Sequence, residues 1–79
     1  MDKFNTKWLI FDKLKEPKKN KKKTETWGVI SIKGNLLGYI KWYSGWRCYA
    51  FFPVEETIFN TECLQEIALF IYRLMKERA

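Results

Sequence analysis

Seven lysines crowd into residues 13–23 (Lys13, Lys15, Lys18, Lys19, Lys21, Lys22 and Lys23), with Glu16 the one acid among them. Ammonium groups at that density neutralise phosphates and release their counterions. Lys18, Lys19, Lys21, Lys22 and Lys23 are therefore candidate phosphate contacts on DNA or RNA. The segment accounts for the whole formal charge of +6, because the rest of the chain balances its acids and bases. Two other readings stay open: a solubilising loop, and a docking site for an acidic host protein. Lysine lacks the planar fork with which arginine reads base edges, so any nucleic-acid binding is expected to have low sequence specificity.

Residues 38–53 supply a second kind of chemistry. They read Gly-Tyr-Ile-Lys-Trp-Tyr-Ser-Gly-Trp-Arg-Cys-Tyr-Ala-Phe-Phe-Pro, an aromatic run with two cations interleaved. Rings stack on unpaired bases while cations meet phosphate, which is how sheets bind single strands. Lys41, Tyr43, Trp46 and Arg47 are the candidates there. The competing reading is packing, since aromatic residues favour strands for that reason alone. Trp27, Trp42, Tyr49 and Phe51 are assigned to the core on that ground, and on the same packing reading the Trp42–Arg47 cross-strand pair is a cation–π contact.

Catalytic chemistry finds little to work with. The chain has no histidine, and so lacks the usual neutral-pH base and the commonest metal ligand. Glu62 and Glu66 share the spacing of one helix face and read as a solvated first turn. Ser31 and Ser44 lack a nucleophile-elbow context, and no glycine-rich phosphate loop is present. Cys48 and Cys63 cannot complete a zinc site without further ligands, and read as small buried thiols in a reducing cytoplasm. A non-enzyme with no metal and no cofactor is expected. Neither a secretory signal nor an apolar stretch of membrane-spanning length is apparent.

These residues must be carried by a small fold. Seventy-nine residues with an aromatic fraction of 18% predict a single domain over 1–79 with a core that has little to spare. Residues 6–11 read as an edge strand or, failing that, a helical turn, and residues 13–24 as a flexible Lys-rich loop interrupted by Pro17. Strands follow at 24–33, 36–43 and 46–52, joined by two-residue turns at Gly34-Asn35 and Ser44-Gly45. That register pairs Val29 with Ile40, Trp27 with Trp42, Trp42 with Arg47 and Ile40 with Tyr49. One face then holds Trp27, Val29, Ile40, Trp42, Tyr49 and Phe51, the expected core. The other holds Ile30, Ile32, Leu37, Tyr39, Lys41, Tyr43, Trp46 and Phe52.

Asn60 or Thr61 is a good N-cap for a helix over 62–78. Its apolar stripe runs through Leu64, Ile67, Ala68, Ile71, Leu74 and Met75, widened by Cys63 and Phe70, and leaves Leu69 and Tyr72 on the flank. The fold class is α+β: a three- to four-stranded antiparallel β-meander packed on one C-terminal helix.

The pattern Gly38-x-Ile40-x-Trp42-Tyr43-x-x-Trp46-Arg47-x-Tyr49-x-Phe51-x-Pro53, followed by Thr57-Ile58-Phe59 and Cys63-Leu64-x-Glu66-Ile67, resembles small uncharacterised proteins of bacteriophages and prophages. The resemblance covers roughly residues 27–71. It implies a phage origin and the cytoplasm of a bacterial host, and brings no activity with it. The architecture is also similar to the sheet-and-helix DNA-binding folds of plant AP2 domains and some integrase N-terminal domains. The expected function is a small, non-catalytic nucleic-acid-binding protein. The alternative is a phage-type module that binds a host protein, or one that homodimerises through the second sheet face.

Overall fold

A computed structural model describes residues 3–14 and 24–78. It is an α+β fold in which five antiparallel strands run in chain order across one sheet: β1 (Lys3–Asn5), β2 (Leu9–Lys13), β3 (Trp27–Ser31), β4 (Leu36–Tyr43) and β5 (Cys48–Pro53). The helix α1 (Thr61–Arg78) follows. The sheet thus has five strands where the sequence suggested three or four. Residues 6–11 do not form a single edge strand. They hold the β1–β2 turn and the first three residues of β2, which lies inside the sheet between β1 and β3. The expected flexible loop at 13–24 lies mostly outside the described residues; Lys13 ends β2.

The turn that interrupts residues 6–11 is built by a hydroxyl. The Leu9 N–H donates to Thr6 Oγ1 at 3.0 Å, and the Thr6 N–H donates to the Leu9 carbonyl at 2.8 Å. A threonine side chain thereby replaces the glycine or asparagine that usually announces a hairpin.

Both later hairpins keep the expected faces but shift their register by two. The β3–β4 connection takes residues 32–35, not two residues. The Gly34 N–H donates to the Ser31 carbonyl at 2.8 Å, and Gly34 sits at a φ of +97°, where a side chain would be strained. Trp27 therefore faces Ile40 and Val29 faces Gly38. The β4–β5 turn likewise takes residues 44–47, with Arg47 at a φ of +52° returning the chain to Cys48 opposite Tyr43. Trp42 consequently pairs with Tyr49 in place of Arg47, and Ile40 with Phe51 in place of Tyr49. Side chains alternate with period two, so an even slip leaves every residue on its own face. The core face is the expected one. Ile32 and Trp46 nevertheless move from strands into turns. A bulge opposite Ile30 turns Leu37 against the core and off the second face.

The helix covers that core face. Asn60 caps it: Asn60 Oδ1 accepts the Cys63 N–H at 2.7 Å. Glu62 lies in its first turn, and Lys76 and Arg78 lie in its last, complementing the helix dipole. Its buried line is Ile67, Phe70 and Leu74, with Cys63, Ile71 and Met75 beside it. Phe70, expected only to widen the stripe, lies at its centre, while Leu64 and Ala68 of the expected stripe are exposed. Phe70 stacks on Phe11 (4.2 Å, 6° between planes) and meets the edge of Trp27 at 4.9 Å, with Phe4 completing the cluster. Leu9, Phe11, Val29 and Ile40 are fully enclosed beneath it.

The outer edge of β5 is blunted. The Val54 N–H faces β4, so the outward amide positions are Tyr49, Phe51 and Pro53. Met75 Sδ accepts the Tyr49 N–H at 3.4 Å, and Pro53 has none to donate. Both features discourage pairing with another strand. Among the described residues no helix is long and apolar enough to cross a membrane.

Candidate nucleic-acid interface

With α1 on one face, the opposite face of the sheet carries Ile10, Ile30, Tyr39, Lys41, Tyr43 and Phe52, with no second layer over it among the described residues. Tyr39, Tyr43 and Trp46 were expected to point away from the core, and they do. Tyr39 is half-buried among its neighbours and Tyr43 is exposed. Trp46, at the tip of the 44–47 turn, is 74% exposed, the most exposed ring of the described residues.

These rings touch one another in a line. Tyr43 and Trp46 lie nearly perpendicular with centroids 5.1 Å apart, Tyr43 lies 6.2 Å from Phe52, and Phe52 pairs across the strands with Tyr39. Lys41 Nζ stands 4.5 Å above the Phe52 ring, so a cation sits within the aromatic line. The pairing expected between Arg47 and Trp42 is not made. Trp42 turns to the helix side, where Arg78 lies 4.2 Å from its ring and Tyr49 meets it edge-on. Arg47 stays exposed in the turn beside Trp46.

The topology sorts charge along the strands. The β4–β5 turn, the C-terminus of α1, and Leu14 and Thr24, which flank residues 15–23, all lie at one end of the sheet. Lys3, Lys13, Lys41, Arg47, Arg73, Lys76 and Arg78 gather towards it, outnumbering Asp12, Glu25 and Glu77. The other end holds Glu55, Glu56, Glu62 and Glu66 against Lys7 and Lys33. The candidates Lys18, Lys19, Lys21, Lys22 and Lys23 lie outside the described residues.

Two features that could have carried other chemistry are tied into the fold. Glu62 and Glu66 fasten the helix start to the β1–β2 turn, and are not simply solvated. Trp8 Nε1 donates to Glu62 at 2.5 Å, Lys7 approaches Glu62 at 3.9 Å, and the Thr6 hydroxyl meets the Glu66 carboxylate. On the helix side, a cleft of about 300 Å³ between α1 and β1–β3 is lined by Lys3, Lys13, Arg73, Glu25 and Glu77 over a nearly closed floor of Trp27 and Phe70. Glu25 is its anchor. It accepts Trp27 Nε1–H at 3.0 Å and pairs with Lys13 at 3.0 Å, while its own N–H donates to Tyr49 Oη. Burial by itself would raise the Glu25 carboxyl, but the hydrogen bonds from Lys13 and Trp27 outweigh it and hold the group below its ordinary value. Among the described residues no cluster of His, Cys, Asp and Glu could hold a metal ion, and both cysteines are free thiols.

No protein-family model matches the chain, and no solved structure matches it. One curated protein does: an uncharacterised 9.3 kDa protein of Acholeplasma phage L2, 39% identical over 79 residues. The match covers 99% of this chain and 97% of the phage protein, so it extends through β1 and β2, beyond the residues 27–71 that carried the resemblance. The chain belongs to the family of this phage protein.

Proposed function

We propose that this is a non-catalytic nucleic-acid-binding protein of low sequence specificity, acting in the cytoplasm of a bacterial host. The observation that carries this reading is the placement of the aromatic–cationic line. Lys41 and Tyr43 lie on the face the helix leaves open, Trp46 and Arg47 lie in the turn at its end, and the chain enters and leaves the lysine segment at the same end of the sheet. Lys18, Lys19, Lys21, Lys22 and Lys23 supply sequence-independent phosphate contacts, and Lys41 and Arg47 add to them. Fluorescence anisotropy with labelled DNA and RNA, single- and double-stranded, tests it. Binding should weaken steeply between low and high salt, and neutralising the five loop lysines should flatten that dependence. Failure to bind any of the four at low salt refutes the reading.

A second reading is supported by one specific arrangement. The sheet edge at β5 is blunted while an apolar face is open and Leu69 and Tyr72 are exposed on the helix. Association with a host protein or a second copy would therefore run through a face and not an edge. Sedimentation across a concentration series tests the homodimer. A monomer throughout rejects it.

A further inference from the structure

We propose that the hairpin of β4 and β5 takes unpaired bases of a single strand, with Trp46 as the stacking platform and Tyr43 packed beside it. This rests on the nucleic-acid reading and specifies the class of ligand. A lone exposed tryptophan is ordinary on a protein surface. This one is held in a built arrangement. The Tyr43 ring lies over Gly45 so closely that a Cβ there would stand 2.9–3.1 Å from three of its atoms. A side chain at Gly45 would therefore push the Tyr43 ring, the movable end of an exposed side chain, out of this position. Held over that glycine, Tyr43 presents its ring 82° from the plane of Trp46. Arg47, in the left-handed region, closes the turn with its N–H on the Ser44 carbonyl at 3.3 Å.

The indole remains largely open to solvent, and among the described residues Tyr43 is the ring that lies against it. Trp46 contributes nothing to the core and is available to stack. A duplex hides the faces of its bases and offers only edges in its grooves. An exposed indole, which offers a broad flat π surface, suits bases that are already unstacked. Charge agrees with this occupant. Lys41 and Arg47 flank the ring line, and Asp12, the one strand acid on that face among the described residues, lies two strands away in β2.

The test compares a short labelled oligodeoxythymidine with the same oligomer annealed to its complement, for wild type, Trp46→Ala, Trp46→Phe and Gly45→Ala. Thermal melting is measured in parallel. The single strand should bind more tightly than the duplex. Trp46→Ala should lose on the order of 5- to 150-fold in single-strand affinity, the range for one stacked base, with an unchanged melting temperature. Trp46→Phe should recover most of that loss, and Gly45→Ala should reproduce part of it by displacing Tyr43. Equal binding of duplex and single strand, indifferent to Trp46→Ala, overturns the inference and leaves the nucleic-acid reading standing. Duplex preference that depends on Trp46 overturns it in favour of a groove wedge. A fall in melting temperature matching the loss of binding makes Trp46 structural. Binding to neither form overturns both readings together.

Discussion

Alanine at Gly38 and alanine at Gly28 should move the melting temperature in opposite directions, although the two glycines occupy neighbouring pairs of the same ladder. Gly38 lies opposite Pro53 at the closely packed end of β4 and β5. A Cβ there would stand 2.5 Å from the Phe52 carbonyl oxygen and 2.8 Å from Pro53 Cα, where ordinary contact begins at 3.4 Å. Both atoms are backbone, so no rotamer change relieves them. β4 and β5 must part by nearly an ångström, straining the 3.0 Å bond from the Val54 N–H to the Leu37 carbonyl. Overpacking of this kind costs up to about 3 kcal/mol, and the reduced freedom of alanine in the unfolded chain returns about 0.5–1 kcal/mol. The net loss of about 2 kcal/mol corresponds to roughly 8–16 °C for a domain of this size.

At Gly28 the same added carbon would lie 3.7 Å from the Asp12 carbonyl and 3.8 Å from Leu14 Cδ2, ordinary contacts both. Only the unfolded-state gain remains, about 0.5 kcal/mol, or roughly 2–4 °C upwards. Thermal melts followed by circular dichroism on the two variants decide the matter. If Gly38→Ala melts at or above the wild type, the close approach of β4 to β5 is wrong. If both variants fall equally, strand glycines are intolerant here for a reason other than local space.

Phe70→Ala removes the ring that joins Phe11, Trp27 and Phe4, at a cost of about 3–5 kcal/mol. Since a domain of this length is stable by only roughly 4–12 kcal/mol, urea melts should show a variant close to unfolding; a loss under about 1 kcal/mol would contradict the central place given to Phe70. Asn60→Ala deletes the acceptor for the Cys63 N–H and should lower the urea midpoint by an amount equivalent to about 1 kcal/mol, with an unchanged slope. Glu25→Gln tests the ion pair by pH. The Glu25 carboxyl is held below its ordinary value, so the unfolded state binds the proton more readily and stability rises with pH through that window. The wild type should exceed Glu25→Gln at neutral pH, and the gap should close as pH falls through the depressed folded value. An identical gap at neutral and strongly acidic pH would refute the pairing.

How far the sequence could be read depended on which errors the physics forgives. Alternation in strands of Trp, Val, Ile and Tyr marks a face, and a turn misjudged by two residues leaves that face intact. Trp27, Val29, Ile40, Trp42, Tyr49 and Phe51 therefore fell on the right side although every assumed pairing was displaced. β1 escaped notice for a different reason. Lys3–Asn5 contributes Phe4 as its single inward residue, and a run that short has no period to detect. Its turn is built by the Thr6 hydroxyl and fastened by Glu62 and Glu66, residues far apart in the chain whose meeting only the folded helix arranges.

The displaced register mattered most at the candidate site. Two more residues in the β4–β5 turn than Ser44-Gly45 alone take Trp46 out of the ladder and separate Arg47 from Trp42. In the shorter turn both would have been strand residues engaged across the pair. In the longer one they are exposed side chains at the tip of a rigid hairpin, and Arg78 from the helix takes the place over Trp42 that Arg47 leaves. The packing reading of Arg47 rested on its expected cross-strand pairing with Trp42. With the pairing gone, neither Trp46 nor Arg47 packs into the core, and both lie exposed beside Tyr43 and Lys41 on the surface that the proposed single-strand binding would use.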